Sequence, residues 1–311
     1  MKFNLILTAF ALFSLVAFSC SNEEESPGLG LEEFSQIIEF ENSGDPVTDQ
    51  RILDMVTSLN IDVGSVTKKV LHYPDGSSVE KIIVGGDIAI SEKELLEMYD
   101  QFGHLADAHL QEDDHEKQYR TFNLVTGSNR TIDILGINSG SQRLSTRGRN
   151  GLSRAVNNFN RLSGVTLNFR LSFGSPTSGN INAADMVVFD NSINENGSGG
   201  VAGFPSNGRP NKFVSIFNIG QFDTDVHEHV ITHEIGHSIG MRHTDWFNRI
   251  TCPASSRGNE GRGSNGAVHI PGTPTGNDGT SIMNACFSST EMVNSIVMTY
   301  VPYSEFTSTI K

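Results

Sequence analysis

Basic residues are scarce in this chain: 22 lysines and arginines against 36 acidic side chains leave a formal net charge of −14. A surface of that sign repels phosphate, which argues against non-specific binding to nucleic acid or to an anionic membrane. Cysteine is rarer still, at positions 20, 252 and 286 only. Long apolar runs are limited to Phe3–Phe18, too short and too near the terminus for a membrane span. No internal repeat is visible. What remains is 37% hydrophobic and 19% charged, the balance of a globular protein with room for one or two domains. The 31 glycines, with many Asn and Ser, point to long loops of the kind common in secreted chains.

The N-terminus supports export. Lys2 followed by the apolar run reads as a secretory signal. Ser19 before Cys20 resembles the cleavage box of bacterial lipoproteins, in which the cysteine becomes the lipidated first residue, although Phe18 is bulky for its place. The alternative is an ordinary secretory signal cut nearby. The expected localisation is therefore an exported, cell-envelope lipoprotein or a secreted protein. Cys252 and Cys286, in an oxidising compartment, most simply pair with each other, the alternative being two buried free thiols.

Composition and pattern divide the chain into a signal (1–20), an acidic tether (21–48), a small α/β unit (49–120) and a larger domain (121–311). In the small unit, "RILDMVTSLNID" is helix-like, and strands flank an Asp-Gly turn. "SEKELLEMYDQF" is a helix opened by a Ser91/Glu94 capping box. "DAHLQEDDHEKQYR" is a charged connector whose His109 and His115 read as surface residues. In the larger domain "RTIDILGI", "VTLNFRL", "DMVVFD" and "NKFVSIFNI" read as strands, and "TRGRNGLSRAVNNFNRLS" as a helix. This order predicts an α+β fold: a mixed, twisted sheet with helices packed on it. "SGGVAGF", inside an Asn/Gly-rich loop, is a candidate for the entry to an edge strand on which a peptide could lie.

Three of the ten histidines crowd into "HEIGHSIGMRH", residues 233–243. The segment "DTDVHEHVITHEIGHSIG" reads as a helix with Asp225 as N-cap and Glu228 completing a capping box. At about 100° per residue, His233 and His237 face the same way one turn apart, as two ligands of one metal ion do. Glu234 is angled to take a proton from a water on that ion. Gly240 can end the helix at positive φ, letting the chain turn back with His243 as third ligand. Three neutral nitrogens leave a fourth position open, the arrangement of one catalytic zinc ion. Nothing in the sequence supports a structural calcium ion. His227 and His229 read as polar helix-face residues, and Asp245 as a brace for a loop or as acceptor for a ligand's ring N–H.

The pattern HExxHxxGxxH is the metzincin signature. The literal "HEIGH" with "SIGMRHTDW", together with "VGGDIAIS", "YRTFNLV" and "ADMVVFD", resembles the dual-action HEIGH metallopeptidases. That resemblance implies a metzincin-like catalytic domain with a Met-turn, His233, His237 and His243 as ligands and Glu234 as base. It places Met283 of "SIMNA" beneath the imidazoles, a packing role that suits a thioether. Some metzincins set a tyrosine two residues later; here Ala285 stands there. It also gives the leading unit the character of a propeptide. No cysteine lies between Ser21 and Thr251, so a thiol block from this unit is excluded, while a carboxylate remains open. The expected function is a zinc endopeptidase acting on polypeptide, binding no nucleic acid, touching membrane only through a lipid anchor, and monomeric. A non-catalytic surface lipoprotein that binds protein or glycan is the alternative.

Overall fold

A computed structural model describes residues 37–39, 44–102, 118–127, 130–162, 166–261, 266–270, 273, 279 and 281–288, all within one compact unit. The expectations for the signal, Cys20, most of the tether and His109 and His115 lie outside the described residues.

The tether's apolar patch supplies β1 (Ile37–Glu39), and β2 (Asp45–Pro46) comes next. Helix α1 (Gln50–Ser58) is capped by Asp49, whose carboxylate accepts from Arg51 N, and buries Ile52, Met55 and Val56 along one face. Strands β3 (Val66–His72) and β4 (Ser78–Val84) form a hairpin around Asp75-Gly76, with Gly76 at φ 85°. Then come β5 (Ile88–Ile90) and α2 (Glu92–Phe102). The capping box opening α2 is present: Glu94 N donates to Ser91 Oγ and Ser91 N to the Glu94 carboxylate. Strands β2-β3-β4-β5 make an antiparallel sheet whose inner face packs on α1 and α2 through Ile82, Val84, Leu95 and Met98.

The larger part opens with β6 (Tyr119–Arg120), which pairs with segments more than a hundred residues later and so belongs with the later part of the chain. After it come β7 (Arg130–Ile137), α3 (Thr146–Asn160), β8 (Leu167–Gly174), α4 (Ser178–Ala183), β9 (Met186–Asp190), β10 (Gly199–Val201) and β11 (Phe213–Phe217). Their order in the sheet is β10-β11-β9-β7-β8, parallel throughout except for β10, an antiparallel edge. The mixed sheet with packed helices is the α+β architecture expected from the sequence. "SGGVAGF" indeed carries the edge strand.

Helix α5 (Thr224–Ile239) packs against α3 and against β10 and β11 of this sheet, with Val230, Ile231 and Ile235 in the main core. Its N-cap is Asp223, not Asp225: Asp223 Oδ1 accepts from Asp225 N and Val226 N. Glu228 is unavailable for a capping box because Asn158 and Arg154 of α3 donate to its carboxylate. The two helices approach so closely that a Cβ on Gly151 would lie 2.7 Å from His227 Cβ. The last strands among the described residues are β12 (Met241–Arg242), β13 (Val268–His269) and β14 (Cys286–Ser288). β6 lies between β12 and β13, and β14 pairs with β1. The two sheets meet at β10, where Ala202 N donates to Asp87 O and Ala89 N to Ala202 O, a parallel bridge that lays the start of β5 along the edge.

Candidate metal centre

Helix α5 presents His233 and His237 one turn apart, with ring centroids separated by 4.6 Å. Gly240 then takes the left-handed conformation, φ 111°, and caps the helix through its N–H to Gly236 O and His237 O. β12 pairs with β6, and His243 returns beside the other two, its centroid 5.1 and 4.7 Å from theirs. All three side chains are fully buried.

The outward-facing nitrogens define the tautomers. His233 Nδ1 lies 2.8 Å from Ile282 O and His237 Nδ1 2.9 Å from Met241 O. A carbonyl only accepts, so both Nδ1 atoms carry the hydrogen. His243 Nδ1 lies 2.6 Å from the Glu260 carboxylate, which likewise accepts. The three Nε2 lone pairs therefore point inward, at 3.0, 3.1 and 3.1 Å from one another. Lone pairs at that spacing repel unless a cation lies among them. Nitrogens so placed suit an ion bound at about 2.0–2.1 Å, the zinc–imidazole distance.

A fourth donor completes the group. Asp87 Oδ2 is 2.9 Å from His243 Nε2, 3.4 Å from His233 Nε2 and 3.7 Å from His237 Nε2. The four ligand atoms lie within 4.8 Å of one another and all four residues are buried. Asp87 comes from the leading unit, brought in by the bridge between β5 and the end of β10. The sequence reading missed it, and "VGGDIAI" carried no local signal for it.

Glu234 points into the same space. Its side chain is buried and neither carboxylate oxygen has a partner. Beside it a Cβ on Gly200 of β10 would lie 2.6 Å from Glu234 Cγ and Oε1, so the carboxylate sits against a glycine. Met283 is buried under the helix, and its Sδ would be 2.6 Å from a Cβ on Gly236. Its neighbour Ile282 supplies the carbonyl for His233, and Thr244 N donates to Met283 O at 2.8 Å. Cys252 and Cys286 form a disulfide tying the segment after His243 to β14.

Asp245 does not receive a ring N–H. Its oxygens accept from Thr251 N, Thr251 Oγ1 and Ala285 N, bracing the loop to the Met283 turn. The ring N–H of His243 goes instead to Glu260, from the glycine-flanked stretch "GNEG" that no sequence motif marked. Nor are His227 and His229 on a polar face, because α5 is covered on nearly every side. His227 bonds the Asp223 carbonyl, and His229 stacks on Phe287 with centroids 3.7 Å apart.

Charge follows geometry. Burial alone would raise the Asp87 carboxyl, but the charge on His243, 2.9 Å away, holds it well below the usual range. Glu234 goes the other way, pushed well up by burial and then by the Asp87 charge. Burial lowers His237 to about 4. His243 resists burial because Asp87 and Glu260 flank it, and it is raised to about 10. In the metal-free protein a proton on His243 thus occupies the place that a cation would take.

Two solved structures of myroilysin are similar over part of their length. One, at 12% identity and TM-score 0.26, matches 38% of this chain and 44% of its own. The other, also at 12% identity, has TM-score 0.27 and matches 39% and 48%. The chain therefore spans less than half of either. No curated protein matches. The model of the family described as dual-action HEIGH metallo-peptidase matches residues 82–296, more than half of the chain and inclusive of Asp87. The chain belongs to that family of zinc metallopeptidases.

Proposed function

We propose that this is an exported zinc endopeptidase made in a latent form. His233, His237 and His243 are the zinc ligands, Glu234 is the general base, and Asp87 is an internal block. The observation that carries the reading is the fourth corner of the centre: Asp87 Oδ2 stands where a three-histidine site would otherwise admit water, while the buried Glu234 beside it has no partner.

Zinc held by the three imidazoles would polarise a peptide carbonyl and bring the pKa of water to ~7. Glu234 takes the proton of the attacking water and passes it to the departing amide nitrogen. With Asp87 in place, burial and the neighbouring charge push its carboxyl well up; when Asp87 leaves, that charge leaves too. Polypeptide would add as a strand along β10, the backbone of Asp87 and Ala89 pairing just past its end, at Ala202.

Release of the leading unit is chemically simple. The Cys252–Cys286 disulfide lies wholly within the later part, so no bond between cysteines ties the two parts together. A cut in the acidic connector between residues 103 and 117 would free Asp87 with its sheet. If Cys20 carries lipid, the same cut would leave the leading unit at the membrane and free the catalytic part.

The test uses the full chain loaded with zinc and a diverse peptide mixture. Uncut wild-type protein should be nearly silent and Asp87→Ala active without any cut. Adding Glu234→Gln to Asp87→Ala should lower turnover by about 10²–10⁴-fold with zinc retained. Protein that binds no zinc, or a zinc-loaded Asp87→Ala that cleaves nothing, would overturn the reading.

A further inference from the structure

The third histidine has the least support from its own element. His233 and His237 stand on α5 and donate to backbone carbonyls, whereas His243 lies past the helix on a turn. Its ring N–H goes to a carboxylate, Glu260 Oε1, at 2.6 Å, from a residue 17 positions later. A carboxylate acceptor does two things that a carbonyl does less well. It fixes the tautomer with a charge-assisted bond, and it makes the opposite nitrogen a stronger donor.

Glu260 is built in with care for a buried anion. Its side chain is fully buried, and isolated it would be costly to place there. Arg249 Nε lies 3.4 Å from Oε1 and Arg242 Nη2 3.5 Å from Oε2. Arg242 is itself fastened to Gly261 O and Gly266 O. Burial would raise the carboxyl, but His243 and then the two arginines hold it down. The backbone is pinned from both sides: Glu260 N donates to Trp246 O, Ile61 bridges to Glu260, and Asp62 N donates to Asn259 O. The remaining flank is closed by Gly85, at φ 64°, where a Cβ would lie 2.8 Å from Oε1. The carboxylate has one place to be, and that place is behind His243.

We infer that Glu260 is a positioning residue for the third ligand, fixing the ring plane and tautomer of His243 and thereby how firmly the metal is held. This rests on the zinc reading of the centre and deepens it, because the role is separate from the block by Asp87. Glu260 acts from the side of His243 away from the metal, and its bonds to His243, Trp246 and Arg242 do not involve Asp87.

The experiment follows zinc release to a chelator and the visible absorption of the cobalt-substituted protein, on the full chain. Glu260→Ala should release zinc about 10–100-fold faster than wild type, the range for loss of such an outer partner. Glu260→Gln still accepts the ring hydrogen but without charge, so it should fall between the two, and both should shift the cobalt bands. The same changes should appear when Asp87→Ala is already present. If Glu260→Ala does not fold, Glu260→Gln decides alone. A lowered melting temperature with unchanged release and spectrum would overturn the inference, leaving Glu260 as a partner for Arg242 and Arg249 only. Wild-type protein that takes up no zinc would overturn the zinc reading and this inference together. Tight zinc in wild type with indifferent Glu260 variants would overturn the inference alone.

Discussion

Glu234 owes its position to an absent side chain on another element. At Gly200 a Cβ would come within 2.6 Å of both Cγ and Oε1 of Glu234, with Cδ at 2.8 Å. Those atoms are buried and cannot swing into solvent. Alanine at 200 must therefore shift the carboxylate, and a misplacement of about 1 Å at a reacting group costs on the order of 10²-fold in rate. Gly200→Ala, made in the Asp87→Ala chain so that the block does not intervene, should keep its zinc and lose turnover by that order. The loss should fall mainly on kcat. A change in KM alone would mean that Gly200 matters only for the strand that substrate joins, and that Glu234 has room to spare.

The helix carrying the ligands stops where it does because of one residue. Gly240 sits at φ 111° and ψ 11°, a conformation that costs an ordinary residue roughly 1–2 kcal/mol. A Cβ there would also meet Leu124 Cδ2 and Thr121 Oγ1 at 2.9 Å. Gly240→Ala should lower the unfolding free energy by an amount of that order or more, and with it the denaturation midpoint, and should loosen zinc as well, because His243 reaches the centre only through this turn. Unfolding in urea with and without zinc checks both; an unchanged midpoint would show that the turn is held by other contacts. This helix was legible in the sequence because its information is local: ligands one turn apart, a glycine to end it, a third histidine after the bend. The strands of the sheet were legible from their alternation, whereas their order, with β10 at one edge and β8 at the other, was set by crossovers that no window of sequence contains. The helix start was misread by two residues, because Asp223 and Asp225 both suit a cap and the choice fell to α3, which claims Glu228 through Asn158 and Arg154. Asp87 and Glu260 were illegible for a stronger reason. Each meets His243 by pairing between distant segments, Asp87 across 156 residues, and neither has a neighbour in sequence that hints at metal.

Over the whole molecule, the leading unit and the catalytic part meet at a cluster that must hold positive charge. Asp87 and Glu260 place two carboxylates against one imidazole, and His243 answers by keeping its proton to about pH 10. The sign comes from linkage. A histidine raised above its unfolded value near 6.5 stabilises the fold fully below that value and loses the contribution as pH rises through about 10. The His243 contribution to the metal-free fold should therefore be greatest below about pH 6.5 and shrink steadily as pH rises towards about 10. Zinc needs the same Nε2 lone pair, so its entry must expel that proton throughout the interval between about 7 and 10. His237, lowered to about 4, has none to give in this range. The apparent zinc affinity should then rise by about tenfold for each pH unit from 7 to 9, with at least one proton released per ion, more if Glu234 also ionises. Competition with a chelator of known proton linkage, repeated at pH 7, 8 and 9, measures the slope, and calorimetry in buffers of differing ionisation enthalpy counts the protons. A flat affinity across that range would mean that His243 is already neutral in the metal-free protein, and that the carboxylates of Asp87 and Glu260 do not act on it together. In the Asp87→Ala chain one of the two carboxylates is gone, so the slope should flatten at a lower pH than in wild type. Latency and metal uptake are thereby read from the same titration.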